Sequence, residues 1–272
     1  MKYEIYYQEY LEAIEATLTE YLPVQVNHPP VIHEAIRYAV LQGGKRFRPV
    51  LTLAACEAAG GDFRQALIPA VALEMIHASS LVHDDLPSLD NDLMRRGKPS
   101  CHVQFGEPIA ILVGDSLLVM AFHILTKLDS PQQVQELLDE ISTAAGTYGM
   151  IGGQAADLLT PREELTIPIL DYISTHKTGK LIKASTVSGA IAAGAPQKVR
   201  NQLLKCGECL GLAFQSVDDL LDKDGYTRLM KDKEIRQKVR DLIATAKREV
   251  RSLGSQADKL TALADFLLKR MP

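Results

Sequence analysis

The chain has 272 residues, 46% of them hydrophobic, enough to bury a sizeable core, so wholesale disorder is excluded. Lys and Arg number 30 against 34 Asp and Glu, a net charge of −4, which excludes the basic footprint of a nucleic-acid binder. Four cysteines, no N-terminal signal pattern and no unbroken apolar run of spanning length point to a reducing, cytoplasmic setting with no transmembrane segment.

Ile5, Tyr6, Tyr10, Ile14 and Leu18 recur at helical spacing, and the pattern breaks at Pro23 and Pro29–Pro30, which predicts an amphipathic helix and then a loop. A second helical stretch runs from Val31 to the glycine-led turn GGKRFRP, a third starts at Pro49, and a long apolar run covers 67–82. An Asp-, Arg-, Gly- and Pro-rich loop occupies 84–99, after which helices are predicted over 109–128, 132–148, 169–193 and 197–221. Two polar amphipathic helices fill 231–269, split near Gly254–Ser255. No strand-like alternation, repeat or linker interrupts this order. The expectation is a single all-α domain over 1–272, a bundle of about ten helices.

Two acidic clusters stand out. In HDDLPSLDNDLMRRGKP, Asp84, Asp85, Asp90 and Asp92 are followed directly by Arg95 and Arg96. Pro87 disfavours a continuing helix, so a helix is expected to end near Asp85 with its loop returning Asp90 to the same opening. Like charges held close need cations, and hard oxygen ligands suit Mg²⁺, although an isolated acidic loop is more often a solvated surface. In FQSVDDLLD, Asp218 and Asp222 stand four apart and share one helix face, with Asp219 alongside, in apolar surroundings where a carboxylate needs a cation or a hydrogen-bonded partner.

The basic motifs answer them. Lys45, Arg46 and Arg48 in GGKRFRP suit phosphate oxygens, though a basic helix-flanking loop is the commoner origin of such a triplet. HKTGK at 176–180 spends helix propensity inside an apolar stretch. His77 lies seven residues before Asp84, two turns back on the same face, where a satisfied core histidine is the commoner outcome. Cys206 and Cys209 have CxxC spacing but no second pair, and read as two buried thiols. Two carboxylate clusters and three basic clusters together describe a cavity for Mg²⁺ and polyanionic phosphate.

These motifs, in this order, resemble the trans-isoprenyl diphosphate synthase (polyprenyl synthetase) family, especially farnesyl and geranylgeranyl diphosphate synthases. GGKRFRP resembles the family's first basic block, DDLPSLDNDLMRRGKP its first aspartate-rich motif in the longer form, FGEPIAILVGDSLL, GQAADL and HKTGKL its intervening blocks, and FQSVDDLLD its second aspartate-rich motif. The resemblance covers most of the chain and implies the isoprenoid synthase fold, helices around a central active-site cavity, usually as a homodimer. It implies about three Mg²⁺ ions held by Asp84, Asp90 and Asp218 with Asp85 and Asp222 supporting. An allylic diphosphate would contact Arg95, Lys177, Thr178 and Gln215. Isopentenyl diphosphate would bind apart from the metal, at Lys45, Arg48, His77 and Arg96. The reaction implied is head-to-tail condensation giving a short-chain prenyl diphosphate.

In this family the residues four and five before the first aspartate often act as a floor to the growing chain. Here they are Ser80 and Ser79, both small, which favours geranylgeranyl (C20) over farnesyl (C15), with Met75, Met120 and Phe122 as other side chains that would close the channel. One departure is plain. The family usually continues past its second aspartate motif through a loop with Gly-Lys and Gly-x-Asp, whereas this chain passes from Asp222 straight to Lys223-Asp224-Gly225-Tyr226. A missing lid opens a second reading, a non-catalytic or regulatory homologue or partner subunit, with Lys223 as a partial replacement for the lost basic group. Terpene cyclases share the fold but need no isopentenyl pocket, and GGKRFRP tips the choice away from them.

Overall fold

The computed structural model describes residues 2–272, with side chains from Tyr7 onward. Ile5 and Tyr6, expected on the apolar face of the first helix, lie outside the described side chains. The elements in order are α1 (Lys2–Tyr21), α2 (Pro30–Leu41), α3 (Phe47–Ala58), α4 (Leu67–Asp84), β1 (Met94–Arg95), β2 (Lys98–Pro99), α5 (Cys101–Phe105), α6 (Glu107–Leu125), α7 (Pro131–Ala145), α8 (Met150–Leu159), α9 (Ile167–Ile173), α10 (Lys180–Ala192), α11 (Gln197–Asp222), α12 (Asp232–Val250) and α13 (Asp258–Arg270). The all-α expectation holds: ten of these helices have twelve residues or more, and α5, α8 and α9 are shorter.

Three local expectations need correction. The predicted third helix begins at Phe47, not Pro49, because a proline in the first helical turn costs no intrahelical hydrogen bond. The acidic loop carries a short antiparallel pairing, Met94 opposite Pro99 and Arg95 opposite Lys98, that no alternation announced because two residues are too few to show one. The stretch predicted as one helix over 169–193 is α9, a π-turn at Ser174–Gly179, and α10. The extra residue of a π-turn rotates the side chains that follow, and such bulges gather at functional sites.

The core explains the order of packing. α4 is buried on almost every side between α3 and α6, which is why its sequence is apolar nearly all round. α10 packs on α3, α7 and α11 through small residues such as Ala184, Ser185, Ser188 and Ala190, whose short side chains let the backbones approach. A separate small cluster of Leu170, Leu220, Tyr226 and Ile235 closes the far end of α11. By length and composition alone, Phe63–Asp84 and Glu107–Leu125 are apolar enough to cross a membrane, with mean hydropathies of 1.4 and 2.0. Within the bundle the first of them is 67% buried, a core helix, whereas α6 is 39% buried and leaves Ile111, Leu112 and Val119 exposed.

The chain continues from α11 without a lid. Lys223 turns in the left-handed region (φ 59), Asp224 accepts the Gly225 N–H at 2.7 Å, and a single 3₁₀ turn, Gly225–Arg228, leads on towards α12. Gly225 has φ 51, and a Cβ there would lie 2.1 Å from Asp219 Oδ2, so no other residue fits without moving that carboxylate. Gly225→Ala is therefore expected to lower the thermal midpoint by several degrees, about 2 kcal/mol, read by circular dichroism melting; an unchanged midpoint would show the turn relaxes freely.

Candidate active site

The glycine-led turn before α3 is built around Arg46. This residue sits in the left-handed region (φ 45) and is buried, its Nε bonded to Glu15 Oε1 at 2.7 Å, Nη1 to Glu74 Oε1 at 2.7 Å and Nη2 to the Val40 carbonyl at 2.7 Å. Three acceptors hold an otherwise unfavourable backbone. Arg46 is thus a structural anchor, and its neighbours are the ones left for other work: Lys45 is exposed, and Arg48 turns inward with its Nε buried and without a hydrogen-bond partner. Burial lowers the Arg48 pKa, an effect that Glu74 and Asp218 oppose.

Arg48 opens into a cavity of about 670 Å³. Of the residues singled out in the sequence, His77, Ser79, Ser80, Asp84, Arg95, Arg96, Lys177, Thr178, Gln215 and Asp218 also line it. Leu118, Met150, Ile151, Leu158 and Phe214 supply an apolar part of the wall. Asp84, from the last turn of α4, and Asp218, from the last turns of α11, thus face one hollow. A larger, more open hollow of about 1000 Å³ between α6 and α7 is lined by Phe122, Gln132, Gln135, Glu136, Leu138, Asp139 and Ser142 and contains no basic group and no motif residue.

Each carboxylate has a different partner. Asp84 Oδ1 accepts from the neutral amide of Gln154 at 2.9 Å, and Asp84 enters no ion pair among the described residues. Burial, reinforced by Asp90 and Asp85 and only partly offset by Lys177 and Arg95, pushes its pKa up to about 6. Asp85 turns away from the cavity to Arg95, whose Nε lies 2.9 Å from Asp85 Oδ1 and whose Nη2 also reaches Asp92 at 2.8 Å. Asp90 is exposed, but its N–H donates to the Asp84 carbonyl at 2.9 Å, so the loop does fold back on the end of α4 as Pro87 suggested. Asp218 Oδ1 accepts from Arg270 Nη2 at 2.7 Å; burial raises its pKa, while Arg270 and Lys45 draw it down.

The second motif divides its labour in a way the i,i+4 spacing did not reveal. Asp219 is buried and structural: Oδ1 accepts from Gln215 Nε2 at 2.7 Å and Oδ2 from the Tyr226 N–H at 2.8 Å. Gln215 Oε1 in turn accepts from Thr178 Oγ1 at 2.7 Å, so the short turn after α11 is tied to the cavity wall through three residues. Asp222 is exposed and lies outside the cavity lining, as do Lys45, Asp85 and Asp90. Lys223, suggested as a partial replacement for the lost basic group, lies outside the cavity lining, its Nζ paired with Asp232 at 3.1 Å on the surface.

HKTGK owes its place to α8. A Cβ on Gly153 would sit 2.1 Å from the Lys177 backbone nitrogen, so a glycine there lets the π-turn and α8 touch. The contact brings Lys177 Nζ to Asp157 Oδ2 at 2.6 Å and places Gln154 beside Asp84. His77, expected to be more often a core residue, lines the cavity, and burial together with Arg48 and Arg96 holds its pKa well below the ordinary value. Arg96 donates to the Gly43 carbonyl, which joins the two basic blocks. Met75 is buried, and neither it nor Met120 nor Phe122 lines the cavity. Cys206 and Cys209 are free thiols, one buried and one half-buried. Sequence reasoning missed Gln154, Asp157 and Arg270, whose neighbours come from other helices; GQAADL marked the first two only as a block.

Residues 29–245 match the family described as Polyprenyl synthetase. This chain belongs to the polyprenyl synthetase family. It is 39% identical to the geranylgeranyl diphosphate synthase of Cyanophora paradoxa over 97% of this chain and 95% of that protein. It is 38% identical to the dimethylallyltranstransferase of Fischerella ambigua over 95% of this chain and 81% of that protein. Among solved structures it superposes on an FPP/GFPP synthase from Zymomonas mobilis with a TM-score of 0.92 and 34% identity, covering 98% and 99% of the two chains. The expected isoprenoid synthase fold and prenyltransferase class are borne out for this polyprenyl synthetase. The Cyanophora alignment extends over 288 positions, more than the 272 of this chain, so that relative carries residues that this polyprenyl synthetase lacks.

Proposed function

We propose that this polyprenyl synthetase condenses isopentenyl diphosphate head-to-tail with an allylic diphosphate, and that residues 1–272 act as one catalytic domain. The observation that carries the reading is that Asp84 and Asp218 share one cavity with Arg48, Arg95, Arg96 and Lys177 and an apolar wall. Divalent ions fit these residues. Asp84 is a hard oxygen donor without a contacting cation, and no three acidic, imidazole or thiol groups converge among the described residues. That arrangement suits Mg²⁺, which binds through one or two carboxylates and completes its shell with substrate phosphate and water. Asp84 and Asp218 would hold about three such ions together with the substrate, with Asp90, Asp85 and Asp222 within their own motifs in support. Bound Mg²⁺ supplies charge neutralisation of the departing diphosphate.

The remaining work belongs to the chain. Lys177 and Arg95 place positive charge beside Asp84 and would grip the allylic diphosphate. Thr178 and Gln215, fixed to each other and to Asp219, present oriented dipoles to the allyl group as positive charge develops on it. Arg48, Arg96, His77 and exposed Lys45 would hold isopentenyl diphosphate, with His77 neutral and Arg48 offering its unpaired Nε. Leu118, Met150, Ile151 and Leu158 keep water from the allylic cation. A proton leaves the condensed product, with the released diphosphate as its acceptor. Small Ser79 and Ser80 on the wall leave room for a C20 chain.

Incubating the purified protein with isopentenyl diphosphate, Mg²⁺ and each allylic diphosphate in turn, then sizing products by mass spectrometry, tests the reading. A short-chain prenyl diphosphate, mainly C20, is expected, and chelation with EDTA abolishes it. No product with any allylic partner would favour the regulatory reading that the short connection after Asp222 raised.

A homodimer in the cytoplasm completes the proposal. The exposed Ile111, Leu112 and Val119 form an apolar stripe on α6 that a second copy would cover. Leu112→Glu with Val119→Glu is expected to turn a dimer into a monomer in size-exclusion chromatography with light scattering; an unmodified protein that elutes as a monomer would refute the dimer.

A further inference from the structure

We infer that Arg270 is a positioning residue that occupies Asp218 in the free protein and yields it to a divalent ion when substrate binds. The inference rests on the prenyl diphosphate reading of the cavity. Asp218 lines the cavity, and its Oδ1 accepts from Nη2 of Arg270 at 2.7 Å. Arg270 comes from the last turn of α13, 52 residues away in sequence, so only the tertiary fold delivers it. Its side chain is 12% exposed, and its guanidinium carbon lies 5.2 Å from the centre of the Phe214 ring, itself part of the cavity wall.

The contact differs from a structural ion pair of this same protein. Arg46 spends all three of its guanidinium nitrogens on Glu15, Glu74 and the Val40 carbonyl. Arg270 spends one nitrogen on Asp218, and its Nη1 is buried without a partner. A buried donor left unsatisfied is costly, so Arg270 is less completely engaged than Arg46 and keeps a donor available to a further acceptor. The two cavity carboxylates are also unlike. Asp84 meets a neutral amide, whereas Asp218 meets a full positive charge at hydrogen-bond distance.

The consequence follows from Coulomb's law. A divalent ion approaching Asp218 alone meets a carboxylate already neutralised and a guanidinium that repels it. A diphosphate arriving with the ion adds negative charge and oxygen ligands, and tips the exchange. Arg270 thereby makes metal binding at the α11 wall depend on substrate.

Binding of Mn²⁺, a paramagnetic stand-in for Mg²⁺, to the full chain without any diphosphate tests this by electron paramagnetic resonance. Arg270→Gln is expected to bind Mn²⁺ about tenfold more tightly than the unmodified protein, the equivalent of removing roughly 1.4 kcal/mol of repulsion. Arg270→Lys, which keeps the charge, should stay within about twofold of the unmodified protein. Adding Asp218→Asn to Arg270→Gln should erase the gain. Should Arg270→Gln fail to fold, Phe214→Leu, which removes only the ring beneath the guanidinium, is expected to shift affinity about threefold in the same direction. Equal or weaker Mn²⁺ binding by Arg270→Gln, or by Phe214→Leu where it stands in, or a gain that survives Asp218→Asn, would overturn the inference. A purified protein that makes no prenyl diphosphate would instead overturn the functional reading, and the two failures are read in separate assays.

Discussion

Asp84→Asn is expected to lower condensation by about 10³-fold while making the metal-free protein more stable at neutral pH. The two effects have one cause. Asp84 faces the cavity with only Gln154 as direct partner, so its charge is compensated only in part, by Lys177 and Arg95, until a metal ion arrives, and burial with Asp90 and Asp85 pushes its pKa to about 6. Between the ordinary carboxylate value and about 6 the folded state therefore holds a proton on Asp84 that the unfolded chain has already released. Stability contributed by this group falls as pH rises from the ordinary carboxylate value through about 6. At pH 7 without metal the asparagine variant should gain roughly 1–2 kcal/mol, discounted for the partial exposure of the site. The gain should vanish as pH falls to about 4. Comparing melting midpoints of the two proteins across this range in EDTA, alongside product formation in Mg²⁺, checks both. An asparagine variant that turns over normally would remove Asp84 from the metal site; one no more stable than its parent at pH 7 would remove the electrostatic account.

Ser79→Tyr should shift the main product from C20 to C15 with turnover kept within about tenfold. Ser79 lies five residues before Asp84 on α4, about 7.5 Å back along the axis, and its side chain lines the same cavity. A chain bound by its diphosphate near Asp84 and growing past α4 meets this position on the way. The serine hydroxyl now donates to the Gly114 carbonyl on α6 at 2.7 Å. Losing that bond and crowding the α4–α6 contact should cost about 2–3 kcal/mol of stability, so the product distribution, not the yield, is the readout. An unchanged distribution by mass spectrometry would exclude α4 as the chain-length wall and direct attention to Leu118 and Met150, which also line the cavity.

Much of this protein was legible before any coordinate. Helical periodicity reports which face of an outer segment is buried, and the central segments read as apolar runs longer than a strand, so the all-α order followed from the two together. Charge clusters in apolar surroundings are costly, so the two aspartate motifs and the basic blocks announced themselves, as did the shortened connection after Asp222. Pro87 even foretold the return of the loop to Asp84. Local chemistry thus determined the elements, the motif residues and the family resemblance.

What the tertiary structure decided is which member of each motif does which work. Asp84 and Asp85 are neighbours in sequence, yet one faces the cavity and the other is held by Arg95. Asp218 and Asp219 divide in the same way, the first towards the cavity and Arg270, the second towards Gln215 and the Tyr226 N–H. Arg46 and Arg48 separate because only Arg46 finds Glu15 and Glu74. The physical reason is common to all three. Residues one or two apart in the chain point in different directions, about 100° apart for consecutive helical ones, and whether a given direction ends in a carboxylate, a guanidinium or open cavity depends on helices many residues away, which no local pattern encodes.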